Sequence, residues 1–287
     1  MKRACSILGL IAACVSPLHS QSSVWKVSHG KQTLYLGGTC HVLRSSDFPL
    51  PVEFDKAFAA SDTLVFEIDP AAALDPQFGM QLMMRGSYQD GRSLKTVLSE
   101  EAYNALAAQG KKSNLPIEVL NGIKPGVAVM MISVQELAKI GVTQEGVDFY
   151  YHKQGLADGK AIRSLESPEF QIGLITEMGE GTESEFVLYS LKDLDQMSEL
   201  FDELIQAWRI GDTDTLRELF VEDMKAYPKL YEDMLARRNR NWIPQIESML
   251  ESTEIEFVLV GAGHLVGDDG VITLLEQKGY KIEQVYK

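Results

Sequence analysis

The same device occurs near each end of this chain: a short apolar strand that runs into glycines and delivers a histidine. One copy is Thr33-Leu-Tyr-Leu-Gly-Gly-Thr-Cys-His41, the other Glu256-Phe-Val-Leu-Val-Gly-Ala-Gly-His264. Phe257 to Val260 is too short an apolar run for a helix and reads as a buried strand. Gly38, Gly261 and Gly263 are expected to free the backbone for a sharp turn at each strand end. Both copies then share Gly-x-x-His, as Gly38 to His41 and Gly261 to His264. With 23 Gly and 5 His in 287 residues, about 0.4 such spacings are expected by accident. The two found gain their weight from context, because each follows an apolar strand. The histidines are read as two halves of one site.

A third strand, Thr63-Leu-Val-Phe-Glu-Ile68, is apolar on both faces and is expected to be buried and parallel to its neighbours. Glu67 interrupts it near its C-terminal end. A buried carboxylate is unfavourable by several kcal/mol unless it is paired, metal-bound or protonated. Glu67 therefore either joins the site or opens the next loop and is solvated. Period two puts Asp69 on its side if the strand persists that far.

The remaining pattern sets the fold class. Trp25–Ser28 and Thr33–Gly37 read as a hairpin turning at His29-Gly30. Val52 to Ala60 reads as a helix. Ser99 caps a helix to about Ala108, ended by Gly110, and Pro125 begins another to about Lys139. Gly146-Val-Asp148 opens a helix carrying His152, read as structural. Ala161–Ser164 is a short strand, and Ser167-Pro168 starts a helix to about Met178. Helix continues from Ser184 to Glu251 with breaks near Gly211-Asp212 and Tyr227-Pro228. Asp268 or Asp269 caps a helix from about Gly270, and Lys281 to Val285 closes with a strand. The class is α/β: a mixed, largely parallel central sheet over residues 24–287, with a large helical insertion, or cap, at about 99–251.

Residues 1–20 read as a secretory signal, with Lys2 and Arg3 before the apolar stretch Ala4 to Ala13. Cleavage after Ser20 or Ser22 is consistent with the pattern. Ile11-Ala-Ala-Cys14 also fits a lipoprotein signal, which would leave a lipid anchor on Cys14. The expected location is the periplasm, free or anchored to the envelope. Cys40 is then the one thiol of the body, and a lone thiol makes no internal disulfide. No later segment is long and apolar enough for a membrane helix. Net charge is −14, and loss of Lys2 and Arg3 with their acid-free segment would take it to about −16, which repels phosphate backbones. Nucleic-acid binding is excluded on that ground.

Further motifs lie between the histidines. Val24-Trp-Lys-Val27, Leu34 to His41, Val65-Phe-Glu67 and Gly261-Ala-Gly-His-Leu-Val-Gly267 resemble the TraB/GumN family. Gly146-Val-Asp148, Leu165-Glu166 with Gln171, and Arg238-Asn239 with Trp242 look like its weaker motifs. The resemblance spans roughly Val24 to Lys287. It implies a fold shared with TIKI-type metalloproteases and, more remotely, with erythromycin-esterase-like and ChaN-like haem-binding proteins. It also implies His41, Glu67 and His264 as the catalytic set, with Gly38, Gly261, Gly263, Glu166 and Gln171 as structural motif positions.

Two neutral imidazoles and a carboxylate suit a divalent ion such as Zn²⁺, Mn²⁺ or Co²⁺ with an open position for water. His41, His264 and Glu67 are then the metal ligands, with Glu166, Asp69 and Asp268 as candidates for one more. Such a centre hydrolyses peptide, amide or ester bonds. Arg237-Arg238-Asn239-Arg240 is suited to hold a carboxylate of the substrate or of the protein itself, so Arg238 and Asn239 are the substrate-binding candidates. Two alternatives stay open. One is metal-free hydrolysis in which a histidine activates water and Glu67 orients it. The other is a non-catalytic protein that binds haem or a peptide. Cys40 beside His41 is weighed as a nucleophile and set aside, because it fills an unspecified position of the motif. The partner is a peptide or small-molecule substrate, and the oligomeric state is left open.

Overall fold

The computed structural model describes residues 21–192 and 194–286; the expected export signal lies outside them. Strands β1 (Gln21–His29) and β2 (Gln32–Thr39) form the expected hairpin, which turns at Gly30 with φ 61°. β1 already pairs at Gln21 with Tyr286, and Ser22 is buried. A chain cut after Ser22 would lose strand residues; one cut after Ser20 would not.

The other strands are β3 (Leu43–Arg44), β4 (Thr63–Phe66), β5 (Val142–Thr143), β6 (Ala161–Ser164), β7 (Glu256–Gly261) and β8 (Lys281–Tyr286). Six form one sheet in the order β6-β4-β7-β2-β1-β8. β6, β4, β7 and β2 are mutually parallel, and β1 runs antiparallel to both β2 and β8. The mixed, largely parallel sheet is therefore present. β7 lies between β2 and β4, so the last core strand enters between two of the first.

Alternation along these strands fills two cores. Phe257, Leu259, Leu64 and Phe66 pack on one face with Phe54, Tyr151 and Trp208. Val258, Val260, Val65 and Leu36 pack on the other with Trp242, Ile246 and Leu275. Each such fully buried side chain contributes about 1.5–3 kcal/mol, so β7, apolar on both faces, is held from above and below. Trp208 also donates from its indole nitrogen to the Gly38 carbonyl at 2.6 Å, which pins the end of β2. A third core, with Leu94, Leu106, Val127 and Ile132 fully buried, belongs to the helices.

Within the helical stretch at about 99–251, β6 is the expected short strand Ala161–Ser164, and it joins the sheet edge. The first helix is the expected Val52–Ala60, and two helices not expected, Pro70–Leu74 and Pro76–Arg85, follow β4. Several expectations need correcting. Gly110 does not end its helix, which runs Glu100–Lys112; a Cβ there would lie 2.4 Å from the Leu115 carbonyl oxygen. The chain turns instead at Asn114, with φ 58°. Neither Asp268 nor Asp269 caps the next helix, whose N-cap is Gly270. Asp268 pairs with Lys225 and Asp269 accepts from the Tyr231 hydroxyl.

The motif glycines have a different reason from the one expected. None of Gly38, Gly261 and Gly263 has a positive φ, so their turns need no left-handed residue. Their role is to keep the space beside each strand end clear, because a Cβ there would press on its neighbours. A Cβ at Gly38 would meet the Ala262 backbone at 3.2 Å, and one at Gly263 would meet Phe220 Cβ at 2.9 Å. At Gly261 it would come within 3.0 Å of His41 Nε2 and 3.3 Å of Glu67 Oε1. Among the described residues no helix is long and apolar enough to cross a membrane.

Candidate active site

The four parallel strands end side by side, where α/β sheets place their ligands. Each is followed by one polar residue: Glu166 after β6, Glu67 after β4, His264 after β7 and His41 after β2. The ladder between β4 and β6 continues past Phe66, with Glu166 N donating to the Glu67 carbonyl at 2.8 Å. That bond fixes the two carboxylates beside each other.

His41 is positioned by the helix Val147–Ala157. Gly146 lets this helix start against the His41 main chain, since a Cβ there would lie 2.1 Å from the His41 carbonyl oxygen. Asp148 is thereby delivered to the ring, its Oδ2 3.0 Å from His41 Nδ1. Thr39 Oγ1 donates to the other oxygen of Asp148 at 3.2 Å. The ring therefore donates its Nδ1–H to Asp148 in a hydrogen bond and turns Nε2 toward Glu67 Oε1, 3.6 Å away. Desolvation lowers the His41 pKa, but the charge and hydrogen bond of Asp148, and then Glu67, outweigh it and raise it to about 9. The side chain is 56% exposed, so water screening trims the size of this shift and not its direction.

His264 has the opposite surroundings. It is buried against Trp242, ring centroids 4.5 Å apart. Its Nε2 lies 2.9 Å from Arg238 Nη1 and its Nδ1 2.6 Å from Asn239 Oδ1. A guanidinium only donates, so Nε2 accepts and the ring is neutral, with its proton on Nδ1 directed to Asn239. Burial lowers the His264 pKa to about 3; Glu67 opposes this, while Arg238 and His41 add to it.

Arg238 is the hub beneath the cleft. Its Nε donates to Glu166 Oε1 at 2.8 Å and its Nη2 to Glu166 Oε2 at 2.9 Å and to Glu67 Oε2. Its Nη1 donates to His264 and, at 3.1 Å, to the Met234 carbonyl. All five N–H groups are thus used within the protein, and the residue is 3% exposed. Met234 lies in the π-helical stretch Glu232–Ala236, a local widening that often accompanies functional sites. Glu166 also accepts from Gln171 Nε2 at 2.6 Å and from the Trp242 indole at 3.0 Å. The scattered motif residues Glu166, Gln171, Arg238, Asn239 and Trp242 form one network.

Glu67 stays ionised. Burial works to raise its pKa, but His264, Arg238 and His41, with the Gly261 amide donating at 2.7 Å, lower it below the usual carboxylate range. Since His264 is held neutral, the fixed positive charge acting on Glu67 is that of Arg238.

Over these groups lies a cleft of ≈ 210 Å³, lined by His41, Glu67, Asp148 and Gln171, with Ile68, Pro70, Ala73 and Phe149 as apolar walls. Larger cavities of ≈ 390, ≈ 400 and ≈ 300 Å³ are lined by none of His41, Glu67 or His264.

The predicted residues are brought together, but not with equal access. His41 and Glu67 face the cleft. Arg238 and Asn239, expected to bind substrate, are buried beneath it with their polar groups engaged, Asn239 Nδ2 donating to the Asp269 carbonyl at 2.8 Å. Of the candidates for a further ligand, Glu166 is bound to Arg238. Asp69 caps the helix Pro70–Leu74 and pairs with His152 Nε2 at 3.1 Å, and Asp268 pairs with Lys225. Cys40 is buried in the core, where burial and then Asp148 and Asp47 push its thiol far up. Asp148 was missed as a site residue; its only sequence signal was Gly146-Val-Asp148 at a helix start.

The donor set does not fit a three-ligand metal centre as arranged. His41 Nε2 and His264 Nε2 lie 3.6 and 3.9 Å from Glu67 Oε1, spacings that donors sharing one small cation can have. The lone pair of His264 Nε2 is nevertheless taken by Arg238, whose own charge opposes a second cation at that point. The same contact removes His264 as a haem ligand. Among the described residues no group of three or more His, Cys, Asp and Glu side chains is arranged to hold a metal ion.

The profile of the TraB/PrgY/gumN family matches residues 23–284 of the chain. A curated relative, Metalloprotease TIKI2 of Danio rerio, is 22% identical over an alignment covering 94% of this chain and 62% of the relative. The chain thus spans about three fifths of the length of the curated relative it matches. No solved structure matches.

Proposed function

The chain belongs to the TraB/PrgY/gumN family, and from that premise we propose that it is a hydrolase of peptide, amide or ester bonds acting at the His41–Glu67 cleft. The observation that carries this is the pairing of His41 Nδ1 with Asp148, which leaves Nε2 open to the cleft beside Glu67. A histidine oriented by a buried carboxylate is a general base and acid. His41 takes a proton from water as the oxygen attacks the carbonyl carbon, and returns it to the leaving nitrogen or oxygen. Glu67, held ionised, is a weak base; its part is to orient the water and to favour the imidazolium that forms. Arg238, Glu166 and His264 hold Glu67 in place and touch no substrate. The name of the curated relative supports hydrolysis and the peptide as substrate class. Work in the bacterial envelope rests on the export pattern of residues 1–20.

A metal-dependent form of the same hydrolysis is the second reading. It is favoured by the relative's name, Metalloprotease TIKI2, and by the convergence of both histidines on Glu67 Oε1. It requires Arg238 to give up His264. One experiment tests both: hydrolysis of quenched fluorescent peptides and of nitrophenyl esters by the parent and His41→Ala, with and without chelator. The expected result is a loss of at least about 100-fold in the variant and no effect of chelator. Equal turnover by the variant sinks the proposal. Loss in chelator, restored by Zn²⁺, Mn²⁺ or Co²⁺, selects the second reading.

A further inference from the structure

We propose that the exposed face of Leu74, Met80, Met83 and Met84, beside the cleft, docks an extended apolar segment of a peptide substrate; this rests on the hydrolase reading above. Among the described residues eleven large apolar side chains are exposed, and these four fall within eleven consecutive positions, at 60, 65, 40 and 62% exposure. Single exposed apolar residues are ordinary, whereas a cluster marks a contact surface. The helix Pro76–Arg85 already has an inward side. Phe78 and Leu82, one turn apart, pack into the helical core, and Arg85 reaches the Glu169 carbonyl of the neighbouring helix. The methionines are left on the other side, which no residue of the core needs.

Continuity with the cleft names the occupant. Pro70 and Ala73 are walls of the cleft, and Leu74, the next residue, begins the exposed face. At ≈ 210 Å³ the cleft is smaller than the range of about 300–1,000 Å³ in which a whole small ligand is enclosed. A substrate seated there must continue outside. Leu74 shares a face of the helix Pro70–Leu74 with the cleft wall Pro70, and that helix packs on the next, Pro76–Arg85, which carries the methionines. Unbranched, polarisable methionine adapts to differing apolar partners, which suits a peptide side of varied sequence better than one fixed ligand.

The test is fluorescence anisotropy on the full chain with a labelled ten-residue Leu/Phe-rich peptide and its Ser-substituted counterpart. The apolar peptide is expected to bind at least five-fold more tightly. Met80→Ser/Met84→Ser should weaken it at least five-fold, leave the Ser peptide unaffected, and keep the parent's melting temperature. Equal affinities for the two peptides in the parent, or unchanged affinity in the double variant, overturn the proposal. So does a double variant that loses binding to phosphatidylglycerol vesicles, or a dimer in sedimentation, while keeping the peptide. Anisotropy reads binding without turnover, which separates the two ideas. A peptide bound but never cut sinks the hydrolase reading alone, and cutting without apolar preference sinks the docking surface alone.

Discussion

Arg238 Nη1 lies 2.9 Å from His264 Nε2, and this contact makes the two Gly-x-x-His histidines chemically unlike. His264 spends its acceptor on Arg238 and its donor on Asn239, so it has neither a lone pair nor a mobile proton to offer. His41, whose donor goes to Asp148, keeps Nε2 for the cleft. Equivalent motifs at the ends of neighbouring strands thus supply one histidine open to the cleft and one locked onto the guanidinium beneath it.

The two rings should titrate in opposite directions. His41 is raised to about 9 and His264 lowered to about 3. A raised pKa stabilises the fold below about pH 6.5, and that contribution is lost as pH rises through about 9. For His264 the unfolded chain takes up a proton near pH 6.5 while the folded one does not, so stability falls as pH drops from there toward about 3. Histidine-selective NMR, assigned with His41→Ala and His264→Asn, should show one ring moving near pH 9 and one silent down to pH 4. A His264 signal titrating near 6.5 contradicts the Arg238 contact.

Asp148→Asn keeps the shape of its side chain and removes its charge. If His41 is the base, kcat/KM of the parent rises with pH and levels off near 9. In the variant the maximum should fall on the order of 10²- to 10⁴-fold. The inflection should also move down toward the unperturbed histidine value, because the charge that raised it is gone. A merely structural role would lower the rate without moving the inflection, so an unmoved inflection rejects the pairing as a device for His41.

Gly261→Ala separates steric need from backbone freedom. The residue sits at φ −49°, ψ 135°, a conformation open to alanine, so the backbone should tolerate the change. The methyl would press between His41 Nε2 at 3.0 Å and Glu67 Oε1 at 3.3 Å. Stability within about 1 kcal/mol of the parent is expected, since no buried group loses a partner. Activity is expected to fall at least about ten-fold, because small displacements of reacting groups cost large factors. Full activity would show that the gap between His41 and Glu67 is not used.

Which parts of this were legible in the sequence follows from the range of the forces involved. Apolar runs such as Phe257–Val260 announce buried strands because alternation and burial are local, and parallel strands then bring the three polar residues at their ends, His41, Glu67 and His264, near one another. The partner of each residue was not legible. Asp148 meets His41 across more than a hundred positions, and Arg238 meets Glu67 across more than 170; no spacing rule couples residues so far apart. A basic patch on the helix Arg237–Met249 reads equally well as exposed or buried, and only the carboxylates of Glu67 and Glu166 decide it. The glycines misled for a related reason. The sequence shows that a side chain is absent, but whether φ or a neighbour forbids it is settled by what packs there.

Arg238 offers the sharpest test of the network as structure. Arg238→Met preserves much of the volume but leaves Glu67 and Glu166 buried without their counter-charge, a loss of about 3–5 kcal/mol at pH 7 by analogy with other broken buried pairs. Arg238→Lys should recover little, since a point charge cannot reproduce the paired bonds to Glu166 while also reaching Glu67 and His264. The sign of the pH dependence identifies the cause. In the parent, Glu67 is held below its ordinary range, so its contribution is present above about pH 4.5 and is lost as pH falls. In Arg238→Met that contribution is already gone, and the gap between the two proteins should narrow as pH drops below about 4.5. Urea unfolding at pH 7 and pH 4 reads this directly. A gap that stays constant would trace the loss to packing around Trp242, and one that is absent at pH 7 would mean that Glu67 and Glu166 find other partners.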